Sequence, residues 1–219
     1  MRRKLVHGVG INDSDSFVNK ESGWRCPAYT KWKDMLKRCY SEKYISKNPS
    51  YAEASVCDEW LTFSNFKKWL CSFDGWEHLE VDKDLLYRGN KVYSPTTCIL
   101  VPHRINTLLI DKTKRGSYPL GVCKHSSERN RPFFMRINKG GKILYGSYFA
   151  DPLKAHAEWQ REKVCAIKDV LSEYEGQEFY DSRVGLILKS VCSRIESELE
   201  SGQETKYLLN EKENTNVES

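Results

Sequence analysis

One stretch, residues 81–111, constrains the fold more than any other part of this chain. A short run that suits a β-strand leads into an acid–lysine–acid triplet at residues 82–84, and a turn signal, Arg88-Gly89-Asn90, follows. A second β-rich run, residues 98–101, comes next. Pro102 then suits the first turn of a helix, because its missing N–H would be unpaired there anyway. The pattern predicts strand, loop, strand and helix.

The side chains in this stretch suit a divalent cation. Asp82 is the last residue of the first predicted strand. Asn106 lies on the predicted helix three residues after His103, so His103 and Asn106 share a helix face. Carboxylate and amide oxygens are ligands that Mg²⁺ and similar hard cations accept. We therefore expect one metal ion between Asp82 and Asn106.

These residues resemble the ββα-metal motif of HNH endonucleases, in the variant common in phage-encoded homing endonucleases. In that family an Asp-His pair ends the first strand, an Asn precedes the second strand, and another Asn follows on the helix. Asp82 and Asn106 match the two metal-binding positions. Lys83 stands where the family has the catalytic His, and Thr97 where it has the structural Asn. The resemblance implies metal-dependent hydrolysis of DNA with one Mg²⁺ or Mn²⁺ ion.

At Lys83 the sequence differs from the family at the position of the general base. A lysine is protonated at neutral pH unless burial shifts its pKa strongly, so it suits a phosphate better than a proton from water. Three nearby residues are alternatives: His78 if the first strand extends back to it, Asp84 on the same predicted strand face, and His103. The hydroxyl of Thr97 can replace part of the bracing that an Asn would give. The candidate catalytic residues are Asp82, Lys83, Asp84, Thr97, His103 and Asn106.

The N-terminal part reads as a scaffold for this motif. Residues 1–24 lack periodicity and suit an extended arm. A helix with an apolar stripe is predicted over residues 27–40, and a second helix, which Asp58 caps, over residues 59–73. Their aromatic residues are typical of core. With the resemblance, residues 25–111 form an HNH-like nuclease domain whose ββα core covers residues 78–111.

Charge is distributed unevenly along the chain. Residues 103–146 carry ten Lys or Arg against two acids, a net charge of +8, whereas residues 171–219 carry a net charge of −6. So dense a basic zone, which includes a linker at 112–118, is the electrostatic footprint of a nucleic-acid partner. A solvated basic face is the alternative.

Residues 119–175 predict three antiparallel strands backed by a helix. They resemble the Apetala-type DNA-binding domain, which phage HNH proteins often carry at the C-terminus. The Gly-Val opening at residues 121–122, a strand with alternating Arg, a Gly before the last aromatic pair, and an Ala-x-Ala-x-aromatic helix carry the resemblance. It implies that one sheet face packs on the helix and the other enters the major groove of double-stranded DNA.

Strand alternation divides the middle strand between these faces. Phe133, Met135 and Ile137 are expected to face the helix, and Arg136 and Asn138 to face outward, with Phe134 as a misfit on the outward side. Arg and Lys reach phosphates or guanine, and Asn pairs with adenine. A small sheet that binds protein or no partner is the alternative. The candidate DNA-binding residues are Lys124, Arg131, Arg136, Asn138, Lys142 and Ser147.

Composition and cysteine spacing indicate the class of protein and its compartment. With 39% hydrophobic and 30% charged residues, the sequence is typical of a soluble globular protein, and no apolar run is long enough to span a membrane. The predicted helices and strands together indicate an α+β fold. Eight scattered cysteines without C-x-x-C spacing predict reduced, mostly buried thiols of a cytosolic protein. The resemblance to phage proteins implies that the compartment is the cytoplasm of a bacterial host. An amphipathic helix over residues 183–200 would dock on the body or on a second copy, so a homodimer stays open. Residues 200–219 are expected to be frayed.

Three functional hypotheses follow from these features. The first is an HNH-type homing endonuclease whose C-terminal sheet selects the DNA site. The second is a catalytically inactive DNA-binding or regulatory protein on the same scaffold, which Lys83 and Thr97 favour. The third is a protein-binding or host-takeover factor that uses the acidic C-terminal region.

Overall fold

The protein has a mixed α+β fold in two compact units, Met1–His103 and Arg104–Ser219. A computed structural model describes residues 4–14, 26–109, 117–127 and 129–209. Parts of three predicted segments lie outside the described residues, namely 1–3 and 15–24 of the arm, 112–116 of the basic linker and 210–219 of the tail. The boundary between the units falls earlier than the predicted linker.

The first unit combines helices with short paired strands. Its helices are α1 (Pro27–Tyr40), α2 (Glu42–Ile45) and α3 (Phe63–Leu70), and its strands are β1 (Ser55–Val56), β2 (Leu79–Asp82), β3 (Val92–Tyr93) and β4 (Ile99–Pro102). Strand β1 pairs with β3 in parallel, and β2 pairs with β4 in antiparallel fashion. Strand β4 continues directly into helix α4 (His103–Leu108). The predicted order of strand, loop, strand and helix is therefore present.

The core of the first unit is aromatic. On α1 the apolar stripe predicted from sequence is buried, with Trp32 and Leu36 fully inaccessible to solvent. The indole Nε1 of Trp32 donates to the carbonyl of Trp60 at 2.7 Å, which satisfies the one polar atom that this ring takes into the core. Phe63 and Phe66 of α3 complete the cluster.

The N-terminal arm determines where α3 begins. The sequence predicts one continuous helix here, whereas the structure has a 3₁₀ turn (Asp58–Leu61) followed by α3. The reason is long-range pairing: Ile11 N donates to Leu61 O at 2.8 Å, and Phe63 N donates to Ile11 O at 3.0 Å. The Asp13 carboxylate then accepts the N–H of Ser64 at 3.0 Å and so caps the helix from a distant part of the chain.

The second unit contains a three-stranded antiparallel sheet and two long helices. The strands are β5 (Val122–Lys124), β6 (Phe133–Lys139) and β7 (Lys142–Phe149), in that spatial order, and the helices are α5 (Pro152–Glu175) and α6 (Ser182–Glu200). Helix α5 packs on β6, where Met135 and Ile137 are buried, as alternation predicts. Gly121 approaches α5 so closely that a Cβ there would overlap the Trp159 ring.

Helix α5 also buries polar groups, each with a partner. The imidazole of His156 donates from Nδ1 to Leu120 O at 2.8 Å and accepts the Thr205 N–H on Nε2 at 3.0 Å, so the ring is held neutral. Burial lowers the pKa of His156, in agreement with that arrangement. Gln160 donates to Gln203 O and to the Thr205 hydroxyl.

These contacts correct the expectation of a frayed tail for the described residues after α6. Residues 203–208 return to α5, and Leu208 is buried, its carbonyl accepting a bond from Arg194 at 2.7 Å. The apolar stripe of α6, which includes Val184 and Leu188, packs on α5 within the same unit. The stripe is therefore covered in this chain without a second copy.

All eight cysteines lie among the described residues, and each is a free thiol. Only Cys39, Cys98 and Cys192 are buried, so the expectation of mostly buried thiols is wrong. Within the residues that the structure describes, no helix has the length and apolar character needed to cross a bilayer.

Candidate functional site

Asp82 ends strand β2 and starts the loop that leads to β3. Its Oδ1 accepts the backbone N–H of Asp84 at 2.9 Å and that of Leu85 at 2.7 Å. Aspartates commonly make this arrangement at turns, because the short side chain reaches the N–H groups two and three residues ahead. The carboxylate therefore shapes the turn as well as presenting oxygen atoms to any ligand.

The surroundings of the Asp82 carboxyl disfavour its ionised form. Burial, together with the nearby carboxyl of Asp84, raises the pKa of Asp82 to about 6. Two carboxyl groups that share one half-buried position repel each other when both are ionised. A cation placed between them would relieve that repulsion.

Lys83 is a structural cation in this loop. Only 8% of its surface is exposed, and its Nζ lies 2.9 Å from Asp84 Oδ2 and 2.9 Å from the carbonyl oxygen of Asn90. The ammonium also lies 5.9 Å from the centroid of the Tyr93 ring. These contacts give the ammonium of Lys83 a structural role in the loop, at the position where the family that the sequence resembles has a catalytic His.

Asn90 organises the loop, and sequence reasoning named it only as part of a turn signal. Its amide Nδ2 donates to Lys83 O at 2.6 Å and Val92 O at 2.8 Å, while Oδ1 accepts the Val92 N–H. Thr97 Oγ1 also donates to Val92 O at 2.8 Å and is paired with the Ser94 hydroxyl. The Gly89-Asn90 pair is the sequence signal for a turn at this position, and Gly89 adopts φ +80 in the structure.

His103 and Glu80 form a second polar group in this unit. Strand pairing puts Leu79 opposite Pro102, so the start of α4 lies beside the start of β2. His103 Nδ1 lies 2.6 Å from Glu80 Oε1, and the imidazole is largely exposed. Glu80 was not singled out from the sequence, since a single Glu on a short strand carries no distinguishing pattern.

The other two alternatives for a base need correction. His78 belongs to a 3₁₀ turn (Trp76–His78) and strand β2 begins after it, so His78 does not share a strand face with Asp82. Asp84 lies beyond the end of β2 and is the salt-bridge partner of Lys83. Its closeness to Asp82 comes from the turn and not from strand alternation.

Asn106 lies in the middle of α4 and is half-buried. It belongs to the second compact unit, whereas Asp82 belongs to the first. Its role as a metal ligand therefore comes from the resemblance alone. Within the described part of the chain, no group of three or more His, Cys, Asp or Glu side chains is arranged to hold a metal ion.

The sheet of the second unit carries the other candidate residues. Arg136 and Asn138 are exposed on the face opposite α5. The strand register places two of the predicted DNA-binding residues, Lys124 and Lys142, on the face toward α5. Lys124 pairs with Phe133 and Lys142 pairs with Lys139, and both of these β6 residues point away from the face that carries Arg136 and Asn138. Sequence reasoning could not foresee this, because it had no register for the outer strands.

Arg131 and Ser147 occupy the borders of this face. Arg131 is exposed in the loop before β6. Ser147 belongs to an irregular part of β7, where its backbone N–H donates to the Glu158 carboxylate of α5 at 3.0 Å. Exposed aromatic rings at Tyr145 and Tyr148 share the outward face and were missed, because the irregularity changes which residues of β7 point outward.

Comparison of the chain with protein-family models, with curated proteins and with solved structures finds no match.

Proposed function

We propose that this protein is a DNA-binding endonuclease of HNH type, which hydrolyses phosphodiester bonds with one Mg²⁺ or Mn²⁺ ion and is directed to DNA by its C-terminal sheet. The observation that carries the proposal is the carboxyl pair of Asp82 and Asp84 at the end of β2, with the pKa of Asp82 raised to about 6. Like-charged groups kept close together are commonly found at functional sites.

The residues of the first unit fit a magnesium ion. Mg²⁺ is usually bound through one or two carboxylates and keeps several waters, so a set of three protein acids is not required. Asp82 and Asp84 would hold it, while the ligand role of Asn106, a residue of the second unit, remains a prediction from the resemblance. When bound, the ion would polarise a phosphate and stabilise the leaving oxygen.

Residues of this chain would position the ligands, accept the proton from water and bind the DNA. Asp82 keeps the turn in shape through its two backbone hydrogen bonds, and Lys83 holds Asp84 in place through their 2.9 Å ion pair. His103, with its Nδ1 directed at Glu80, is the remaining candidate for accepting a proton from water. Basic residues of the second unit would hold the DNA backbone, with Arg136 and Asn138 best placed to reach bases.

A second candidate function rests on Lys83. The buried ammonium occupies the position of the family's catalytic His and already neutralises Asp84, which lowers the need for a divalent ion. A catalytically inactive DNA-binding or regulatory protein on the HNH scaffold would have this arrangement. It would bind DNA in a salt-sensitive manner and be indifferent to chelators.

Cleavage of supercoiled plasmid tests the two functions. If the protein is a nuclease, we expect the wild-type chain to nick plasmid in Mg²⁺ or Mn²⁺, EDTA to stop the nicking, and Asp82→Asn to abolish it. The control Asp58→Asn, at an exposed residue, should leave nicking unchanged. Calorimetric titration with Mn²⁺ gives a readout that is independent of cleavage, and binding should be lost in Asp82→Asn.

An inert wild-type chain that still binds DNA would reject the nuclease and retain the inactive scaffold. In that case Lys83→His, once circular dichroism shows that it folds, is expected to create weak nicking. Nicking that persists in Asp82→Asn would remove Asp82 from the site.

A further inference from the structure

Three aromatic rings form a cluster on the outward face of the β5–β7 sheet. The centroid of the Phe134 ring lies 5.2 Å from that of Tyr148 and 6.0 Å from that of Tyr145. Tyr145 is 63% exposed and Tyr148 is 43% exposed. Rings of this size are normally placed in a core, and a cluster left open to solvent is a common feature of binding surfaces.

A β-bulge brings these rings to one side. Phe134 pairs with Tyr148 and Arg136 pairs with Tyr145, so two steps along β6 correspond to three steps along β7. Residues three apart on a regular strand point to opposite faces, but the extra residue puts both tyrosines on the same face. Gly146 allows this, because a Cβ there would overlap Glu158 and Met135.

Cations lie directly beside the rings. The guanidinium carbon of Arg129 is 5.3 Å from the Tyr148 ring centroid, and Arg129 Nε donates to the Ser127 hydroxyl at 3.0 Å, which is itself bonded to His125. Arg136 lies opposite Tyr145 in the register, on the same face. The surface therefore combines stacking rings with positive charge, which complements a negatively charged strand that carries flat bases.

The rings favour unpaired bases over paired ones. In a duplex the flat side of every base is covered by its neighbours, and only base edges are open to hydrogen-bonding side chains. The centre of this face offers ring surfaces, whereas Arg136 and Asn138 are the polar side chains that β6 presents there. A second copy of the chain is a poor occupant, because two such basic faces would repel each other.

We propose that this face binds single-stranded DNA by stacking unpaired bases on Tyr145, Tyr148 and Phe134, while Arg129 and Arg136 hold the backbone. The proposal rests on the DNA binding proposed above and names the form of DNA that this face takes. Unpaired bases arise where a duplex is opened, so the face would hold a displaced strand beside a site at which the basic residues grip the duplex.

Fluorescence anisotropy with the full-length chain tests this. The probes are a labelled single-stranded DNA oligonucleotide, the same sequence as RNA, and the DNA duplex. We expect the single strand to bind at least about tenfold more tightly than the duplex, and Tyr145→Ala and Tyr148→Ala each to weaken single-strand binding by about 5- to 100-fold. Tyr145→Phe, which keeps the ring, should retain binding. Tyr207→Ala is the matched control, since Tyr207 is 55% exposed but lies in the C-terminal segment.

Each other outcome has a defined meaning. Equal losses of single-strand and duplex binding in the tyrosine variants, or tighter binding of duplex, overturn the stacking proposal and leave the proposed DNA binding intact. Tenfold tighter binding of RNA overturns the choice of DNA. No binding of any probe rejects DNA binding itself. Sedimentation that shows a dimer lost in Tyr145→Ala, without a single-strand preference, assigns the face to a second copy.

Discussion

The loop after β2 and the outward face of the β5–β7 sheet carry the same kinds of side chain but use them in opposite ways. In the loop, Lys83 is almost fully buried between Asp84 and Asn90. On the sheet, Arg136 is exposed and its cross-strand neighbour is an exposed tyrosine. A charged side chain that is paired inside the protein stabilises the fold, whereas a charged side chain exposed to water is available to bind a partner.

This difference shows why charge patterns alone do not locate function. Residues 82–84 and the basic zone at 103–146 both stand out in the sequence. Only the surroundings of each residue decide whether its charge is satisfied internally. The two regions should therefore respond to mutation in opposite ways, and four experiments test that contrast.

The largest effect is expected at Lys83. Lys83→Ala leaves the Asp84 carboxylate and the Asn90 carbonyl without their cation, and we expect a loss of about 2–3 kcal/mol in the free energy of unfolding, less than for a fully buried pair because Asp84 is partly exposed. Urea denaturation measures it. Lys91→Ala is the control, since Lys91 lies 3.9 Å from an exposed Glu53 and should change stability by less than about 0.5 kcal/mol. If the two variants were equally stable, the contrast between the regions would fail.

Gly146→Ala sharpens the comparison within the sheet. The added Cβ would meet Met135 Cγ at 2.5 Å and a carboxylate oxygen of Glu158, so we expect a loss of about 1–3 kcal/mol from overpacking. At Gly176 a Cβ finds its nearest atom at an ordinary 3.8 Å, so Gly176→Ala should be close to neutral. Thermal unfolding followed by circular dichroism compares them, and equal melting temperatures would argue against a rigid bulge.

Asp82 should make stability depend on pH. The pKa of Asp82 is raised from 3.8 to about 6, so the folded protein keeps a proton that the unfolded chain releases between those values. Stability should therefore fall as pH rises through this window, by roughly 1–3 kcal/mol.

The variant Asp82→Asn tests this, because an amide oxygen can still accept the two backbone N–H groups. It should match the wild type at pH 4 and be more stable at pH 7.5. Denaturation at the two pH values, repeated with Mn²⁺, checks both the sign and the metal: the ion should stabilise the wild type at pH 7.5 and leave the variant unchanged. A variant less stable than the wild type at pH 7.5 would show that the carboxylate is structural.

The smallest effect on stability is expected at Arg136. Its side chain is exposed, so Arg136→Ala should change the free energy of unfolding by less than about 0.5 kcal/mol. The same variant should weaken DNA binding and reduce the slope of log affinity against log salt by about one. A stability loss similar to that of Lys83→Ala would remove the distinction between the two regions.

Much of the second unit was predictable from the sequence because its signals are local. Met135 and Ile137 alternate with polar residues, a Gly-Gly pair marks the hairpin, and Asp151 before Pro152 marks the start of α5. Each of these depends only on neighbours in the chain.

The remaining features depend on contacts between distant residues. No local pattern reveals that Asp13 caps α3, that Thr205 returns to His156, or that Lys83 is buried against Asn90. The loop of the candidate site belongs to this second kind. Sequence reasoning therefore found Asp82 and its neighbours but could not assign Lys83 a structural role.

The bulge in β7 has a consequence for insertions and deletions. Loss of one codon at Ser147 would remove the extra residue and restore regular alternation. Tyr145 and Tyr148 would then lie two residues apart and still share the outward face, and Phe149 would keep its place opposite Phe133. A deletion of three nucleotides at this position would thus preserve both surfaces of the strand, whereas the same deletion in a strand without a bulge would exchange them.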